Sequence, residues 1–376
     1  MNWLIVSIML LQGVDFSVLE KKSAEAREIL KKESTTFKRA GKGKNSRIVS
    51  RDILLAVGSL SADEIKVIRL VVNVPKSTRD RSFKFKVATP GFDVERISGA
   101  GITRLIFKVT DKDTKEELVV WDSRHLHLEN QRTSPRDLFY FPYSKYFLRE
   151  EVISAGSEFL SGSIEEVRQK VCQKQIMSRA LPEKPMCLVY TDIDKYLYAL
   201  GASEQTDDGE FSADSENSLS KFLVHVGRNR ENAFYYSISE DGARGLMQFM
   251  NKKGNMTYKW VRDSYPEAGL IPDFEKGTAN FQNSLLAAWL LFDLNISKIS
   301  GEARNLILIN PKLGGFLGAS SHNAGWKRGG KRLFVEIVSG KITAETKDFS
   351  KSGIPRETKV VLKKFSLLWD KSQERQ

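Results

Sequence analysis

The chain is poor in the residues that would give its chemistry away cheaply. Two cysteines in 376 residues cannot build a disulfide framework. Cys172 and Cys187 stand fifteen apart, and spacing alone leaves one bridge or two buried thiols equally open. Four histidines and two cysteines show no ligand spacing, so no metal site is expected, and no cofactor motif is read. No apolar run reaches the ~20 residues that a membrane-spanning helix needs. No solenoid-type repeat recurs.

What is present is length, apolar mass and positive charge. A hydrophobic fraction of 41% supports real cores, and 376 residues call for two or three domains. The net charge is +12, and residues 218–376 carry 25 Lys+Arg against 15 Asp+Glu. Such a surface seeks a polyanion, and charge alone does not choose between nucleic acid and an anionic cell wall. The basic residues are scattered and no nucleic-acid motif accompanies them, so nucleic acid ranks last.

The fold class expected is α+β and multidomain, a β-rich N-terminal module followed by an all-α C-terminal domain. Residues 1–16 contain the apolar run NWLIVSIMLLQGV, which has the length of a signal-peptide core. They are expected to be an export signal or a membrane anchor, with a buried strand or helix as the alternative. Residues 17–60 are rich in Lys, Arg, Glu and Ser and read as a short exposed helix and a basic linker. Residues 61–143 alternate as strands, in IKVIRLVVNV (65–74), SFKFKVA (82–88), RLIFKVT (104–110) and ELVVWD (117–122). They predict a small antiparallel sandwich or barrel of binding, targeting or spacer role. Residues 144–202 read as a helical connector. Residues 203–217, SEQTDDGEFSADSEN, have no apolar period and read as an acidic linker.

From 218 to 372 the pattern is helical. Ser218 is the expected cap of a helix with Leu219, Phe222, Leu223 and Val226 on its apolar face. Leu223, Gly227 and Glu231 follow at intervals of four, which predicts a carboxylate at the margin of the core. FQNSLLAAWLLFDL (281–294) is apolar nearly all round and predicts a central helix.

Residues 231–250 read ENAFYYSISEDGARGLMQFM. Glu231, Phe234, Ser239, Gly242, Ala243, Gly245, Leu246, Met247 and Gln248 resemble the signature of the soluble-type lytic transglycosylases, enzymes of lysozyme-like fold. Asn280 before the apolar helix, SSHNAGWKRGG (320–330) read as a loop, and Ile354-Pro355-Arg356-Glu357-Thr358 follow in the family's order. The resemblance covers residues 218–368. It implies cleavage of the bond between N-acetylmuramic acid and N-acetylglucosamine in peptidoglycan strands, in the periplasm or cell envelope. Association with membrane or wall through the N-terminus would fit that location.

Glycoside cleavage needs a proton on the leaving oxygen and stabilisation of an oxocarbenium-like centre. The resemblance gives the proton to Glu231. The sugar's own N-acetyl group is the internal nucleophile, and its C6 hydroxyl closes a 1,6-anhydro ring without water. Ser239, Gly242, Gly245, Leu246, Met247, Gln248, His322 and Asn323 are the implied substrate contacts, with Asn323 facing Glu231 across the groove. Gly242 and Gly245 would let backbone approach the sugar. Asn232, His322 and Val361 depart from the family's Ser, Tyr and second cleft Tyr. These departures keep two alternatives open, a hydrolytic muramidase and a peptidoglycan-binding protein with impaired turnover.

Overall fold

The computed structural model describes residues 16–43, 46–60, 64–75, 84–97, 106–127, 136–142, 144–235, 237–239, 241–252, 256–299 and 301–374. The apolar run expected as signal or anchor lies outside them. The chain divides into two compact units, residues 1–99 with 104–153, and 100–103 with 154–376.

The first unit is a helix and an antiparallel sheet that curls into a near-barrel. Helix α1 spans Phe16–Lys32. The strands are β1 (Phe37–Ala40), β2 (Arg47–Gly58), β3 (Lys66–Asn73), β4 (Phe85–Val87), β5 (Phe92–Ile97), β6 (Ile106–Asp111), β7 (Glu117–His127) and β8 (Arg136–Phe139). They are ordered β4-β3-β2-β7-β6-β5, with β1 on β2 and β8 on β7. Alternation sends Ile53, Leu55, Val57, Ile68, Leu70, Val72, Val109 and Val120 into one apolar core. Leu54 and Ala56 take the other face, on which α1 packs and buries Leu19, Ala26 and Leu30. Arg124 caps the C-terminal end of α1, donating to Leu30 O and Glu33 O at 2.7 Å each.

Each of the four strand segments predicted from alternation contains a strand. The linker reading of residues 17–60 is corrected: α1 buries Leu19, Lys22, Ser23, Ala26 and Leu30, and Arg47–Gly58 is the longest strand among the described residues, pairing with β1, β3 and β7. Its apolar stretch follows directly on a basic run, and the charge masked it.

The second unit is helical. Its main helices are α2 (Glu150–Gln173), α3 (Ile193–Gln205), α4 (Asp208–Ala213), α5 (Ser215–Asn229), α6 (Thr257–Ser264), α7 (Phe274–Ala279), α8 (Phe281–Ile296), α9 (Gly301–Ile309), α10 (Pro311–Gly325), α11 (Lys331–Val338) and α12 (Arg356–Glu374). Helix α8 is buried along its whole length except at Gln282, as its all-round apolarity predicts. Around it pack α3, α6, α7 and α10.

The acidic stretch 203–217 is no linker. It holds the end of α3, all of α4 and the start of α5. Its carboxylates work as helix caps. Asp207 accepts from Gly209 N and Glu210 N at 2.9 Å, and Asp214 from Asn217 N at 3.0 Å. Asp214, not Ser218, therefore caps α5, and Ser218 is buried within it. Lys364 on α12 fastens the stretch, donating to Thr206 O at 2.8 Å and pairing with Asp208 at 2.7 Å.

Cys172 and Cys187 form a disulfide, which closes the loop after α2. Asp293, a fully buried carboxylate on α8, ties that loop to the core. It accepts from Ser178 Oγ and Tyr190 OH at 2.6 Å, from Arg179 N at 2.5 Å and from Tyr265 OH. Burial and the Asp293 charge hold both phenols above their usual range. Replacing Asp293 by Ala strands four buried donors. It is expected to destabilise the protein by at least about 3 kcal/mol, read as a fall in the urea midpoint relative to the wild type.

Candidate functional site

Helix α5 buries Leu219, Phe222, Leu223 and Val226 on the face that the sequence predicts. It does not run on to Glu231. Arg230 takes φ 48°, ψ −122°, which ends the helix, and Arg230–Asn232 form a 3-10 turn. Glu231 is thereby exposed, a correction to its expected place at the core margin.

The turn opens on a cleft of about 330 Å³ lined by Phe159, Gly162, Ser163, Glu166, Glu231, Asn280, Phe281 and Gln282. Three elements assemble it. Helix α2 lies directly on α5 because Gly156 has no side chain; a Cβ there would sit 2.0 Å from Leu223 O. This contact brings Phe159, Ser163 and Glu166, at helical spacing, to the cleft. The N-terminus of α8 supplies the rest. Asn280 caps it, accepting from Asn283 N at 2.9 Å. Phe159 and Phe281 lie with ring centroids 5.4 Å apart, an aromatic wall. Gln282 Nε2 donates to Glu166 Oε2. Aromatic faces, amides and carboxylates in one concavity can stack on a sugar ring, bind its hydroxyls and exchange a proton with its glycosidic oxygen.

Apart from Glu231, none of the site residues that the resemblance implies lines this cleft. Residues 237–239 and 241–249 form hydrogen-bonded turns that work as framework. Ser239 accepts from Ala243 N at 3.0 Å, and Gly245 N donates to Ser237 O at 3.0 Å. Gly242 and Gly245 take φ +90° and +74°. At Gly245 a Cβ would lie 1.7 Å from Thr278 O, so the missing side chain admits α7 and not a sugar. Leu246 and Met247 are corrected likewise. They are 1% and 0% exposed and pack against Gly201 of α3. Gln248 Nε2 donates to Ser237 Oγ and Gly245 O.

Behind the turn stands Gln205, buried at the end of α3. Its Nε2 donates to Gly245 O and Leu246 O at 2.8 Å, and its Oε1 accepts from Ser237 Oγ at 3.0 Å. His322 holds the same turn from α10. Its Nε2–H donates to Met247 O at 2.6 Å, and its ring stands edge-on to Phe249. Burial pushes its pKa down to about 4, so the ring is neutral. The segment 320–330 is not a loop: it is the end of α10 and one π-helical turn. Asn323 Oδ1 accepts from Thr358 Oγ1 at 2.8 Å, which joins two separate pieces of the motif. Val361 is a core residue.

Sequence reasoning passed over Glu166, Gln282, Phe159 and Gln205. Glu166 lies in an ordinary charged helix face, and Gln205 in a stretch read for its acidity. Compared with protein-family models, curated proteins and solved structures, the chain has no match.

Two buried groups near the turn titrate in opposite senses. Glu204 precedes Gln205, and burial raises its carboxyl from 4.5 to about 7 despite nearby Lys364. Its contribution to stability is present below pH 4.5 and is lost as pH rises through 7. His322 falls from 6.5 to about 4, so its contribution is present above pH 6.5 and is lost as pH falls through 4. Between pH 4.5 and 6.5 the two slopes offset each other. In His322→Gln, stability should fall with rising pH across that window, and in Glu204→Gln it should rise. Each slope is at most about 1.4 kcal/mol per pH unit. Unfolding midpoints measured from pH 4 to 8 check both.

Proposed function

We propose that the chain is a peptidoglycan lytic transglycosylase of the cell envelope, its residues 218–372 a lysozyme-like catalytic domain with Glu231 as the acid. The observation that supports this reading best is the position of Glu231. The glutamate that begins the motif is the one that meets a cleft furnished with aromatic rings and amides.

Glu231 protonates the oxygen that leaves as the bond from C1 of N-acetylmuramic acid breaks. The N-acetyl carbonyl closes on C1 as the internal nucleophile. The Glu231 carboxylate then takes the proton from the C6 hydroxyl as O6 bonds to C1 and the carbonyl departs. Both nucleophiles, the N-acetyl carbonyl and O6, belong to the muramic acid sugar that is cleaved, so catalysis rests on proximity. Phe159, backed by the buried Phe281, would stack the ring. Asn280 and Gln282 would bind its polar groups. A strand lying in the cleft would shield the exposed carboxyl from water. Digestion of purified sacculi, with products resolved by mass, tests this. The wild type should release anhydro-muropeptides. Glu231→Gln should lose at least about a hundredfold in rate while its unfolding midpoint stays within error.

Glu166 in the same cleft favours a second reading, hydrolysis. A second carboxylate is what most glycosidases use to activate water. On the first reading, Glu166→Gln leaves anhydro ends as the product. On the second, reducing ends dominate in the wild type and vanish with Glu166→Gln.

A further inference from the structure

A strongly basic exposed segment of the second unit, residues 326–341, contributes nothing to the cleft lining. Lys327 and Arg328, in the π-helical turn, and Lys331, Arg332 and Lys341, on and after α11, are all exposed. Against these five cations the segment 326–341 carries one carboxylate, Glu336, which accepts from Gly353 N. Among the described residues none of the five is in an ion pair.

Helix α11 is sharply two-sided. Leu333 and Ile337 are buried. Lys331, Arg332, Val335 and Val338 lie at helical spacing on the opposite face. Val335 is 58% and Val338 53% exposed, among the most exposed large apolar residues described. The charges alone would suit any polyanion. Two valines set among them, each more than half in water, gain nothing from a soluble anionic polymer. They gain from a surface whose charged outer layer overlies hydrocarbon.

We propose that the face of α11, with the cations that flank it, docks the protein on a membrane rich in anionic phospholipid. The cations meet the headgroups, and Val335 and Val338 enter the acyl boundary. This holds whatever bond the cleft cleaves.

The test is sedimentation of the full chain with vesicles of phosphatidylcholine alone or with about one third phosphatidylglycerol. The wild type should bind the anionic vesicles and not the neutral ones, and high salt should weaken binding. The double variant Lys331→Glu/Arg332→Glu should lose well over the roughly fivefold per charge that neutralisation costs. Val335→Ser/Val338→Ser, which keeps every charge, should weaken binding several-fold. Unchanged unfolding midpoints show that both variants remain folded. The proposal fails if the wild type ignores anionic vesicles, or if either variant binds as tightly as the wild type. A valine variant equal to the wild type, with binding lost only on charge reversal, would point instead to a soluble polyanion.

Discussion

The amide of Gln205 is the contact on which the motif-bearing turn depends. It is buried, with both carbonyls of the Gly245-Leu246 pair on its nitrogen and the Ser237 hydroxyl on its oxygen. A turn with positive φ at Phe234, Gly242, Gly245 and Gln248 does not hold itself together by propensity. The surroundings must over-determine it. Gln205 holds it from α3, His322 from α10 and the ion pair of Arg244 with Glu275 from α7. Because Gly245 presses on Thr278, the turn also fixes the chain two residues before Asn280, which caps α8 and lines the cleft. The run GARGLMQ thus acts on the cleft through the backbone beneath it.

What could be read from the sequence was what periodicity and apolarity decide. The all-round apolar 281–294 is a central helix, the stripe from Leu219 to Val226 is a buried face, and the alternating segments 65–74 and 117–122 contain strands. Composition misled where polar residues do local work. In 203–217 the aspartates cap two helices, and Gln205 and Thr206 are buried hydrogen-bonding groups. A rule that equates acidity with solvent cannot see this. In 320–330 the resemblance implies a loop, and the structure has none; Gly329 and Gly330 show why. These glycines lie in a π-helical turn pressed against Ser320 and Ser321, where a Cβ would not fit.

At the site, one residue that the motif names, Glu231, lines the cleft, but the sequence put it at the core margin and the structure has it exposed. Glu231 sits in the cleft because Arg230 breaks α5, an event set by one backbone conformation and not by any pattern. The other walls come from α2 and α8, some seventy residues upstream and fifty downstream. Only tertiary contact brings such segments together. Gly156, whose missing side chain lets α2 meet α5, carries no signal in isolation.

The cleft and the disulfide loop are two ends of one rod. Phe281 and Gln282 begin α8, and Asp293 lies twelve residues on, about 18 Å along the axis. The carboxylate that locks the loop after Cys172 also fixes how far α8 can slide or turn. At its other end the same helix presents an aromatic ring to Phe159 and an amide to Glu166. A binding site needs its walls held to a fraction of an ångström, and helix termini hold residues more precisely than loops do. Four hydrogen bonds at the far end of α8 add to the Asn280 cap and the Gln282–Glu166 bond that hold its near end at the cleft.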